Sequence, residues 1–121
     1  MSLQSLHALD SVIDSQELLT RCLNNLDFAE RMLNLFEGRC CEELTDLDAA
    51  FEKGDLNAVR LIAHRLAGAC ANAAAFGLQT SATELRHAAT DGSIEKASRC
   101  LHDLRQEWHR FMEARSADPV L

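Results

Sequence analysis

The chain has 121 residues, room for one domain around one hydrophobic core. Hydrophobic residues at 47% and charged residues at 26% set it apart from disordered chains, and a net charge of −7 argues against nucleic acid as a partner, because contacting a phosphate backbone takes a basic face. A single proline (Pro119), no tyrosine, and abundant Leu, Ala, Arg and Glu direct the chain to the all-α class.

The first residues carry no secretory signal, since Asp10 and Asp14 interrupt any apolar run. Asp14-Ser15-Gln16-Glu17 reads as a capping box opening a short helix that ends near Asn24-Asn25. A second box, Asp27-Phe28-Ala29-Glu30, is expected to open a long helix to about Lys53. Its apolar positions are Phe28, Met32, Leu35, Phe36, Cys40, Leu44, Leu47 and Phe51. Gly54 stops that helix and Asp55 caps the next, predicted over about 56–75. Ala74 to Gly77 is expected to turn into a helix over about 78–89, which Asp91-Gly92 ends. Ser93 then caps a last helix with Ile94, Ala97, Leu101, Leu104, Trp108 and Phe111 on one stripe. These short connections predict an up-down antiparallel four-helix bundle with a short additional N-terminal helix. One domain is expected over residues 1–121, with its core at about 14–112 and a frayed tail at 116–121.

The helix after Asp55 carries the unusual residues. On a wheel of about 100° per residue, Val59, Ile62, Leu66, Ala69, Cys70, Ala73 and Phe76 form the core stripe. His64 falls opposite, with Asn57, Arg60, Gly68, Ala71 and Ala75 around it and Ala67 nearby. An exposed helix face normally carries charged side chains, yet this one is Ala and Gly for three turns past His64. Gly68 inside a helix costs roughly 0.5–1 kcal/mol relative to Ala. A smooth surface beside an imidazole lets a partner's backbone come close; the alternative is plain packing under the N-terminal helix or a second copy.

Charge is unevenly spread. Residues 1–55 hold 4 basic and 12 acidic side chains, residues 56–121 hold 8 and 7, and Leu56 to Thr83 contains Arg60, Arg65 and no acid. That gap reads equally as chance in an Ala-rich helix or as room for an anion. An exposed imidazole is largely neutral at pH 7 and offers a lone pair to a phosphorus centre, while Arg60 and Arg65 could offset phosphate charge.

The run Ala63-His64-Arg65-Leu66-Ala67-Gly68, followed by Ala74-Ala75-Phe76-Gly77-Leu78, resembles the AH-x-LKG-x-x-x-x-x-GA-x-x-L signature of histidine-containing phosphotransfer (HPt) domains. Gly54-Asp55 before it, and Glu84-Leu85 with Asp91-Gly92 after it, agree with the same layout. The resemblance implies that His64 is the phosphoacceptor and that Gly68 lets the partner approach. It also implies a carrier without enzyme activity or a cofactor of its own, taking its catalytic pocket and Mg²⁺ from receiver domains of response regulators. A hybrid sensor histidine kinase would stand upstream. The docking surface would comprise Asn57, Leu61, Ala67, Ala71 and Ala75. Two positions depart from the pattern: Ala67 replaces a lysine and Ala74 a glycine. The lysine's task would then pass to Arg60, Arg65 or a residue of the following helix such as Arg86.

Competing chemistries lack their residues. Glu84-x-x-His87 has the spacing used in di-iron bundles, but only one copy exists. His102 and His109 read as solvated, and the adjacent Cys40 and Cys41 as helix packing, so no metal site is expected. No glycine-rich phosphate loop supports a kinase and no nucleophile turn a hydrolase. The remaining alternative is a helical docking module that binds a partner through the Ala/Gly face with His64 unmodified. Five cysteines without CxxC spacing suggest reduced thiols in a cytoplasmic protein. The small-residue run Leu66 to Leu78 is too short to cross a bilayer. A monomer is expected, and Met1 leans toward a free-standing protein.

Overall fold

Most helix starts are set by the side chain just before them. In a computed structural model that describes residues 1–117, Ser2, Asp14, Asn25, Asp55 and Ser93 each accept a hydrogen bond from the backbone N–H three residues on. They open α1 (Leu3–His7), α2 (Ser15–Arg21), α3 (Leu26–Glu52), α4 (Leu56–Asn72) and α6 (Ile94–Ser116); α5 (Phe76–Thr90) starts without such a cap. The fold is all-helical, with no strand among the described residues.

Several boundaries differ from the sequence expectation. α1 was not predicted, although Leu6 on it and Leu9 just after it are buried in the core. α2 stops at Arg21, before a left-handed step at Leu23 and Asn24. α3 begins two residues early because Asn25, rather than Asp27, accepts from the Phe28 N–H at 3.0 Å. Asp27 sits instead in the first turn, where its charge suits the helix dipole.

The buried face of α3 is Ala29, Leu33, Phe36, Cys40, Leu44, Leu47 and Ala50. Phe28 and Leu35, expected inside, are exposed, and Met32 and Phe51 are half-buried. The small residues Ala29 and Ala50 hold the core positions at the two ends. On α6, Ala97, Leu104 and Phe111 are buried and Leu101 and Trp108 partly so, while Ile94 is exposed.

Successive long helices pack on one another, α3 on α4, α4 on α5 and α5 on α6. The last closes back on α3. Arg105 pairs with Asp48 and Arg115 with Glu37, so α6 runs opposite to α3. Phe36 meets Phe111 and Trp108 edge-on at 5.4 and 6.2 Å across this seam, and Trp108 stacks on Phe111 at 5.3 Å. Of the five cysteines, Cys22, Cys40 and Cys70 are buried, Cys41 is exposed, and all are free. No described helix is long and apolar enough to cross a membrane. Residues 118–121, with Pro119 and most of the expected tail, lie outside the described residues.

The turn between α4 and α5 comes earlier than predicted. α4 ends at Asn72, and Ala73, Ala74 and Ala75 make the whole connection. Ala74 takes φ +57°, a left-handed conformation that costs an L-residue roughly 1–2 kcal/mol. Its carbonyl accepts from the Asp14 N–H at 2.8 Å, which ties the start of α2 to this turn. Arg21 reaches the same end of α4 and donates to the Ala71 and Asn72 carbonyls at 2.5 and 3.4 Å.

Candidate functional site

α4 turns Val59, Ile62, Ala63, Leu66 and Cys70 into the core. Three and four residue steps between these positions leave His64 on the outer face, where it is exposed. Of the predicted stripe, Ala69 is only half-buried. Phe76 is 42% exposed, with the Arg21 guanidinium 5.9 Å from its ring centroid. It begins α5 and so leaves the face of α4 altogether.

The expected docking surface divides. Asn57, Leu61 and Gly68 are exposed, while Ala67 and Ala71 are half-buried. Ala75 is fully buried, because α4 has already ended and the turn carries it inward. A Cβ added at Gly68 would meet nothing of this chain within 4 Å. No internal contact therefore requires a glycine there, and the cost to the helix has no compensation within the fold. Beside it lies a shallow groove of about 500 Å³ between α3 and α4, edged by Met32, Leu35, Arg39, Arg65 and Gly68.

The three arginines considered for phosphate have different surroundings. Arg60 donates to the Asn57 side-chain oxygen at 2.8 Å, on its own helix. Arg65 points toward α3, where its Nε and Nη2 donate to the two Glu43 oxygens at 3.3 and 3.0 Å. The Glu43 carboxylate holds the Arg65 guanidinium above its usual pKa, through the hydrogen bond first and the charge second. Glu43 is buried and also lies 3.5 Å from Arg39. Arg65 is thus already matched by a carboxylate on the side away from α5.

Arg86, on α5, stands against His64. Its Nη1 lies 3.3 Å from the imidazole Nδ1, and its Nη2 lies 3.4 Å from His87 Nε2. Its Nε is buried and has no hydrogen-bond partner. Among the described residues no carboxylate pairs with it. An unmatched guanidinium beside an exposed imidazole is a place for an anion. Among the described residues no group of three or more His, Cys, Asp or Glu side chains is placed to hold a metal.

The Hpt domain family model matches residues 31–114, a span that takes in α4, α5 and nearly all of α3 and α6. The chain belongs to the Hpt domain family. That membership puts it among the phosphotransfer domains of two-component phosphorelays, whose partners are receiver domains. No curated protein and no solved structure matches it. Within the matched span, sequence reasoning missed the Glu43–Arg65 pair. Its one signal was an acid, Glu43, set directly beside Leu44 of the apolar stripe.

Proposed function

We propose that this Hpt domain is a phosphoryl carrier in which His64 accepts the group from a receiver-domain phosphoaspartate and passes it to the aspartate of another receiver. The observation that carries the reading is the exposed imidazole on α4, one turn from a glycine that nothing inside the chain requires. A receiver needs its own aspartate brought to within bonding distance of the ring. A surface of alanine and glycine beyond His64 allows that approach.

Transfer of this kind depends on positioning and on neutralising charge around an in-line displacement. The receiver supplies the pocket and its Mg²⁺, and this chain supplies the nucleophile and one cation. Arg86 takes the role left open by Ala67, since Arg65 is committed to Glu43 and Arg60 to Asn57. Asn57, Leu61, Ala67 and Ala71 surround the meeting point. We read the long helices as an up-down bundle acting as a monomer with no cofactor or enzymatic activity of its own, serving a hybrid sensor histidine kinase and a downstream regulator in the cytoplasm.

The test is to mix the protein with a phosphorylated receiver domain and Mg²⁺ and look for acid-labile, base-stable phosphate. His64→Gln is expected to abolish the label while retaining receiver binding. No label on the wild-type chain, from receivers that load another carrier, would overturn the proposal and leave a docking module.

A further inference from the structure

We infer that Arg86 masks His64 in the resting protein and moves from the ring to the phosphoryl group when His64 is loaded. The inference rests on the phosphocarrier reading of His64. A guanidinium can only donate hydrogen bonds, so the ring nitrogen that faces it, Nδ1, must accept. The neutral imidazole then carries its proton on Nε2, which makes no hydrogen bond among the described residues. Neither nitrogen is ready to attack: the Nδ1 lone pair faces Arg86 and the Nε2 lone pair is occupied by hydrogen.

Attack by the outward nitrogen requires the other tautomer. Nε2 gives its proton to water and Nδ1 takes one from water. The new Nδ1–H then opposes the Arg86 N–H, so the guanidinium must leave. The Nε2 lone pair bonds to phosphorus as the bond to the aspartyl oxygen breaks, and the carboxylate departs with the electron pair. The ring becomes cationic and the phosphoryl group keeps its two negative charges. Arg86 is built for this exchange. It has no carboxylate to hold it back, its other contact is a second imidazole, His87, and its buried Nε lacks any acceptor in the resting state. Phosphoryl oxygens would supply the missing acceptor. An incoming receiver phosphate therefore unmasks the histidine by drawing the guanidinium to itself.

Nitrogen-15 NMR of the free protein reads the ring directly. The wild-type His64 is expected as the Nε2–H tautomer, Arg86→Ala as a mixture of both, and Arg86→Lys, which keeps a cationic donor, as close to wild type. Loading His64 chemically with phosphoramidate, without any receiver, is expected to shift the Arg86 Nε–H resonance and to leave that of Arg65 in place. A wild-type ring protonated on Nδ1, or an Arg86 Nε–H unmoved by loading, would overturn the inference. If the ring and Arg86 behave as expected but receivers never label His64, the exchange stands and the relay assignment falls.

Discussion

Two guanidinium groups flank His64, and they behave as opposites. Arg65, next to it in sequence, reaches away to α3 and is held by both oxygens of the buried Glu43. Arg86 comes from another helix, touches the ring, and has no acid among the described residues. A charge already matched by a buried partner fixes two helices together; a charge left unmatched beside a nucleophile is available to a ligand. Proximity in sequence is a poor guide to which is which.

Substituting each arginine in turn separates them most sharply. Arg86→Ala is expected to shorten the phosphohistidine lifetime roughly tenfold, about the effect of one charge-assisted hydrogen bond. Arg65→Ala should leave that lifetime within about twofold, and decay of labelled protein after removal of the receiver measures both. On stability the order reverses. Glu43→Gln removes the charge that Arg65 and Arg39 share and is expected to cost about 1 kcal/mol, less at high salt because both arginines are half open to water. Denaturant melts at two salt concentrations check it, with phosphoryl uptake unchanged.

Two smaller substitutions probe the α4 surface and the turn that follows it. Gly68→Ala is expected to stabilise the protein by roughly 0.5–1 kcal/mol, since the added methyl meets nothing inside the chain. The same methyl stands where a receiver must approach, so transfer should slow as stability rises. Ala74→Gly is expected to leave stability within about 1 kcal/mol of wild type, relief at the left-handed φ being offset by the greater freedom of glycine in the unfolded chain and by the loss of a buried methyl. Thermal unfolding reads the difference, and transfer should be indifferent to it.

That position shows how far the sequence could be read. The family pattern has glycine where this chain has Ala74, and the φ of +57° gives the physical reason for a glycine. With alanine in its place nothing local marked the end of α4, so the predicted helix ran three residues too far and carried Ala75 onto the surface. Where spacing and caps agreed, as on α4 up to Cys70 and on α6 from Ala97, the buried faces were legible. On α3 Phe36, Cys40, Leu44 and Leu47 were legible, while at the two ends the larger Phe28 and Phe51 masked Ala29 and Ala50 as the core positions. α1 was overlooked although Leu3, Leu6 and Leu9 recur at helical spacing behind Ser2. The histidine and its glycine neighbour could be read from the wheel and the motif. The Arg65–Glu43 and Arg86–His64 contacts each join residues 22 apart on different helices, and no local pattern encodes them.

The seam between α3 and α6 has an optical consequence. Trp108 is the chain's one tryptophan, and it is stacked on Phe111 and edge-on to Phe36, on helices that carry neither His64 nor Arg86. Its emission reports whether that seam is closed. Substitutions at residues 64, 65, 68 and 86 can therefore be checked for intact folding with an intrinsic fluorophore, without adding a label near the chemistry.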